Sequence, residues 1–233
     1  MTNFPTPFGP SKVALRDVDR LRAALEESDL HSPASGAPDG SVFLNFSGKH
    51  GVYKLGRNQE PVDPDDIWLV NILSFEDGWM CWKGSQPVAQ RLANIYSGVQ
   101  IPTPDPDEFG PFKDSEGWMP AKAMILKNIY DGVQAYWKVS SKSAVDVFAD
   151  LRRNVLAQIT KGAPAWPLVR LGKERFGQHN NWKPVLDVRG WLSDEAVAVL
   201  AEDPNADIED LIAQSNPAPA LVSSQGAKGR RRL

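Results

Sequence analysis

Residues 121–140 read AKAMILKNIYDGVQAYWKVS, and this stretch decides the fold. Ile, Val, Tyr and Trp crowd its two halves, 121–130 and 133–140, and Asp131-Gly132 between them is a two-residue hairpin signal. The period then changes. Over 143–160, Val147, Leu151, Val155 and Ile159 recur every fourth residue, and Phe148 and Leu156 widen the stripe. That pattern predicts an amphipathic helix, stopped by Gly162 and Pro164. Strands are expected at 166–171 and 182–188, joined by a polar, aromatic and basic loop. Trp79-Met80-Cys81-Trp82 supplies an earlier strand, so the order becomes β-β-β-α-β-β. The expected class is therefore α+β, mainly β, with an OB-like five-stranded barrel, a type whose sheet face and loops bind oligonucleotides. Fold alone does not fix function.

Outward from this core, 41–46 and 52–55 predict a β-hairpin extension around Gly48-Lys49-His50-Gly51. Residues 67–73 are an apolar run suited to a buried strand, and 74–78 read as a turn into Trp79. Residues 87–96 predict a short helix through Val88, Leu92 and Ile95. Four prolines between 102 and 111, among Asp105, Asp107 and Glu108, make 97–118 an acidic Pro-rich insertion. As a flap over the barrel, it would compete with an anionic ligand for a basic face.

Toward the N-terminus, Leu15, Val18, Leu21 and Leu25 give residues 11–30 an amphipathic helical stripe. A Ser/Pro/Ala/Gly linker to residue 40 separates it from the core domain, 41–192. At 193–215, Ser193 as N-cap with Asp194 and Glu195 behind it opens C-terminal peripheral helices. Residues 216–233 read as a disordered tail ending in Lys228 and Arg230 to Arg232. Such a tail either adds unspecific phosphate contacts or is a solvated end.

Composition sets the bounds. The chain has 233 residues, 42% hydrophobic and 24% charged, which suits a globular core. A single cysteine, Cys81, rules out an internal disulfide framework and fits a reducing compartment. Neither a signal peptide nor an apolar run of membrane-spanning length is evident, so a cytoplasmic location is expected. The net charge of −3 conceals a segregation: residues 1–56, 57–120, 121–191 and 192–233 carry 0, −7, +7 and −3. The basic segment coincides with the expected barrel. It either meets a polyanion or pairs with the acidic segment of the same molecule.

Catalytic patterns are missing. His31, His50 and His179 are far apart in sequence, and neither HExxH nor CxxC occurs. No GxxxxGK[ST], GxGxxG or GxSxG motif is present. Asp63-Pro64-Asp65-Asp66 lacks the spacing of a calcium loop and suits a solvated turn. Cys81, between Met80 and Trp82, suits a packed thiol. No cofactor, no metal and no enzymatic activity are expected.

The residues that suit binding are better placed. Alternation along 133–139 puts Val133, Ala135, Trp137 and Val139 on one face and Gln134, Tyr136 and Lys138 on the other. A ring beside a cation is what a single strand requires, a π-face to stack on and a charge for phosphate. Lys122 on the preceding strand is a further phosphate contact. The densest signal is the long hairpin, with Arg170, Lys173, Arg175, Phe176, His179, Trp182 and Lys183 around Gly172 and Gly177. Trp137, Trp166 and Trp191 are assigned to the core. For Tyr136, Phe176 and Trp182 the sequence leaves burial and exposure open. Arg152 and Arg153 are placed on the solvated side of the helix.

The sequence also resembles, over 41–191, a group of phage-encoded single-stranded DNA-binding-like proteins carried near replication and recombination genes. The residues that carry the resemblance are Phe43-Leu44-Asn45-Phe46 with Gly51-Val52-Tyr53, and Trp68-Leu69-Val70-Asn71 with Ser74-Phe75. Gly78-Trp79 with Trp82, Gly117-Trp118-Met119, Leu168-Val169-Arg170-Leu171 and Lys183-Pro184-Val185-Leu186 complete it. The resemblance implies an OB-like fold and strand binding. The arginine-rich end departs from the acidic, partner-recruiting tail common among phage single-strand binders. Two functions are thus expected. One is a non-catalytic, sequence-tolerant binder of single-stranded DNA, or RNA, working with replication or recombination proteins and self-associating through its N-terminal helix. The other is a protein–protein module whose basic barrel face docks an acidic partner.

Overall fold

The computed structural model describes residues 40–177, 181–203 and 205–216, with the backbone of a short pair, β1 (Pro5–Thr6) and β2 (Gly9–Pro10). The amphipathic segment 11–30, the linker up to residue 39, His179 and the tail 217–233 lie outside the described residues.

Nine strands form one sheet: β3 (Ser41–Ser47), β4 (Val52–Leu55), β5 (Glu60–Pro61), β6 (Ile67–Lys83), β7 (Gln86–Asn94), β8 (Gly117–Asn128), β9 (Gln134–Val139), β10 (Trp166–Phe176) and β11 (Asn181–Leu192). Their spatial order is β11-β10-β6-β8-β9-β3-β4-β5, with β7 also paired to β6. Every ladder is antiparallel except β3 on β9. The sheet curls into a half-barrel, and the protein is mainly β with few helices. Between β9 and β10 runs the helix α1 (Lys142–Thr160); after β11 come α2 (Asp194–Glu202) and α3 (Ile208–Ser215).

β6 makes the curl possible. Its first half lies between β10 and β8, and its second half between β7 and β8. Between Asn71 and Glu76 its register on β8 slips, because β6 has more residues there than its partner. Such a bulge bends a strand and orphans backbone groups, which must find other partners. Side chains supply them. Asn71 Oδ1 accepts from Leu73 N–H at 3.1 Å, and Ser74 Oγ accepts from Ile125 N–H at 2.8 Å. Asn94 Nδ2 and Tyr96 Oη donate to the carbonyls of Leu73 and Ile72. The expected turn at 74–78 is therefore a corner within one 17-residue strand.

Two more expectations change. Residues 86–94 form β7 rather than a helix, because Gly84 and Ser85, both at positive φ, make a tight two-residue turn back along β6. The β8–β9 connection spans five residues, 129–133, and is closed by Asn128 N–H donating to the Val133 carbonyl at 2.9 Å.

The core lies where α1 covers the sheet. Phe148, Leu151, Val155 and Ile159 are buried, and the rings of Phe148 and Trp137 have centroids 4.9 Å apart. Fully burying each such side chain contributes about 1.5–3 kcal/mol. Trp68, Trp137 and Trp166 are fully buried. Arg152, expected on the solvated side, instead lies on the buried face and makes two 2.7 Å bonds to the carboxylate of Asp77. Lys122 adds a third at 2.9 Å. At the chain's end, Ser193 Oγ caps α2 by accepting from Ala196 N–H. Asp207 caps α3 by accepting from Glu209 and Asp210 N–H. No helix among the described residues is long and apolar enough to cross a membrane.

Candidate nucleic-acid interface

β10 and β11 pair from Trp166–Leu192 out to Phe176–Asn181, so the expected loop is largely a continuation of two strands. Alternation along β10 puts Leu171, Lys173 and Arg175 on one face, opposite Leu186, Pro184 and Trp182. Leu171 is in the core. Two and four residues further on, the same face has left the core and carries cations. There Lys173 Nζ and Arg175 Cζ each stand 4.9 Å from the centroid of the half-buried Trp182 ring. A cation over an indole is held by the ring's quadrupole, worth about 0.5–1 kcal/mol where exposed.

The β3–β4 turn supports this cluster from behind. Trp182 N–H donates to the Gly48 carbonyl at 2.8 Å. Gly51, at φ +62°, presses so close that a Cβ there would lie 2.6 Å from Trp182 Cγ and 2.8 Å from Lys173 Cδ. Only glycine fits this position. Tyr53 Oη lies 3.0 Å from the Gly172 carbonyl and 3.3 Å from that of Val185, which pins the hairpin to β4.

The opposite face of the hairpin differs. Arg170 approaches Asp65 at 3.4 Å, Lys183 pairs with Glu174 at 3.1 Å, and Phe176 is 49% exposed across from Asn181. Of the residues expected to bind, Arg170, Lys173, Arg175, Phe176, Trp182 and Lys183 thus share one hairpin, split between its two faces.

Tyr136, Lys138 and Lys122 lie elsewhere. Tyr136 is 2% exposed, and its hydroxyl donates to Glu76 Oε2 at 2.6 Å. No base can stack on it. Burial and the neighbouring carboxylate push its pKa up, and burial raises that of Glu76 as well. Lys138 donates to Gln90 Oε1 and lies 5.6 Å from the Phe43 ring, while burial lowers its pKa. Lys122 is committed to Asp77 inside the fold. The acidic insertion also misses the hairpin. Glu108 meets Arg91 at 2.5 Å, Lys83 Nζ donates to the Phe109 carbonyl, and Glu116 accepts from Gly84 N–H. These contacts sit at the end of β6 remote from β10.

The sequence reading missed Gly51 and Gly48 as parts of the site. The Gly48-Lys49-His50-Gly51 motif marked a turn, but nothing local says which strand it will lean on. It also missed Phe43, 38% exposed on β3. Among the described residues, no three of His, Cys, Asp and Glu converge to hold a metal ion. Cys81 is fully buried.

No family model matches the chain, and neither does any solved structure. It is 27% identical over 88 residues to a nucleoid-associated protein of Alkaliphilus metalliredigens (strain QYMF), a stretch covering 37% of this chain and 75% of that protein.

Proposed function

We propose that the chain is a non-catalytic, sequence-tolerant binder of single-stranded DNA serving a phage replication or recombination system. The observation that carries this reading is Trp182 with two cations on its ring, at the outer part of a hairpin that has left the core. To stack on the indole an unpaired base would displace a cation that now lies over it, which leaves Lys173 and Arg175 beside the ring for the phosphates. Phe176, exposed nearby on the other face, offers a second ring. We read β6, β8, β9, β10 and β11 as the five strands of an OB-like barrel, with α1 in the usual place before the last two. In that reading the β3–β4 hairpin stands where the third and fifth strands would meet. The similarity to a nucleoid-associated protein supports affinity for nucleic acid, since the nucleoid is the DNA body of a bacterial cell. The residue pattern over 41–191 supports the phage and replication setting.

A fluorescence titration of the tryptophans with oligo(dT) and with duplex DNA, at low and moderate salt, tests the proposal. Binding should favour the single strand and weaken steeply with salt. Equal affinity for duplex, or no binding at low salt beside capture of an acidic protein, would replace this function with docking of an acidic partner.

A further inference from the structure

A concavity runs along β3 from Phe43 to Phe46. Phe43, Met80, Trp82 and Pro87 line it with apolar surface, Arg57 and Lys138 give it positive charge, and its volume is about 590 Å³. That lies within the ~300–1,000 Å³ range of small-molecule sites. Its wall is built rather than accidental. Phe43 packs edge-on against Tyr136 with centroids 5.9 Å apart, and Trp82 Nε1 donates to Ser140 Oγ at 2.9 Å. Arg57 is exposed and has no carboxylate within ion-pair distance among the described residues. Lys138 bonds a neutral amide, although Glu76 lies close enough to act on it.

β3 joins this groove to the Trp182 cluster. Phe43 lines the groove, and Gly48, the first residue of the turn after the strand, accepts the Trp182 N–H. Gly48 is five residues on from Phe43, at most about 16 Å along the chain, and Phe46 brings the groove closer still. We infer that the groove takes a nucleotide of the same single strand, its base against Phe43 and its phosphate toward Arg57 and Lys138. This rests on the function proposed above and extends it from one contact to a path along β3. The positive lining and this continuity select a polyanion. An acidic peptide would satisfy the charges but leave the Phe43 ring without a planar partner.

Affinities for oligo(dT) of about 4 and about 12 nucleotides, both within the roughly 4–16-nucleotide site sizes of single-strand binders, test the inference in the full-length protein. Arg57→Glu and Phe43→Leu should each weaken the longer strand about tenfold, the order expected for one lost stack or phosphate contact. The short strand, held at Trp182, should be unaffected. Arg57 is exposed, so its variant keeps the test valid if Phe43→Leu fails to fold. Unchanged affinity for the longer strand in both variants, with Trp182→Ala still weakening it, overturns the inference and leaves the hairpin function standing. Equal weakening of both lengths also overturns it. If Trp182→Ala changes neither length, the hairpin function itself fails.

Discussion

Replacing Lys173 and Arg175 together by Gln separates charge from stacking at Trp182. Both cations stand 4.9 Å from the indole, so a phosphate flanking a base stacked there meets two charges. Each phosphate neutralised on a single strand contributes about 0.7 to the slope of log K against log salt. Two contacts therefore contribute about 1.4, and the double variant should lose that much slope. Trp182→Ala should behave differently. It removes a stacking surface worth roughly 1–3 kcal/mol, between about fivefold and 150-fold in affinity, with little change in slope. Its backbone bond to Gly48 survives the truncation. The assay is a fluorescence-anisotropy titration of labelled oligo(dT) at four or more salt concentrations. A slope unchanged in the double variant would refute the placement of phosphates at this pair, whatever happened to affinity.

Three further outcomes follow from the geometry. Gly51→Ala should weaken oligonucleotide binding, because its Cβ would displace the Trp182 ring, and should cost about 1 kcal/mol of stability at a positive φ; binding equal to wild type would contradict the buttress. Asp77→Ala should cost about 3–5 kcal/mol in urea unfolding, because Arg152 and Lys122 lose their shared counter-charge inside the fold; a loss below about 1 kcal/mol would show that the cluster relaxes into solvent. Glu76 has a folded pKa raised above the usual 4.5 by burial. Its contribution to stability is present below pH 4.5 and lost as pH rises through the folded value. Glu76→Gln should therefore stabilise the protein most near neutral pH, relative to wild type, and the advantage should shrink toward pH 4; a pH-independent difference would count against the assignment.

The strands and helix that rest on periodicity were legible, since a two- or fourfold repeat follows directly from which side must face the core. What eluded sequence reading depended on partners distant in the chain. The bulge in β6 hides because Asn71 and Ser74, ordinary turn residues, work there with Asn94, Tyr96 and Ile125 from other elements. Arg152 carried a usable signal. Phe148, Arg152, Val155 and Ile159 follow the helical spacing, so a charge on that stripe had to be buried with a partner. Gly84-Ser85 also foretold a turn and hence β7, against a short helical pattern that fitted equally well. Tyr136 could not be settled from alternation, because both faces of β9 are covered and a period of two reports only which residues share a face.

The charge segregation shows why a basic segment is a poor guide until its partners are known. Seven of the twelve cations between 121 and 191 are paired within the molecule. Lys122 and Arg152 meet Asp77, and Arg170 meets Asp65, each pair joining the basic segment to the acidic one before it. Lys142, Arg153, Lys183 and Arg189 pair with carboxylates of their own segment. Lys173 has no carboxylate within ion-pair distance among the described residues, and it stands with Arg175 over a tryptophan. A ligand that needed only positive charge would find it in scattered, screened pairs. One that needs charge and a flat ring together finds both at Trp182, and in the groove beside Phe43. Trp182 on β11, under cations of β10, and Phe43 on β3, beside Lys138, are the two charge–ring pairs on which the proposed binding of a linear polyanion rests.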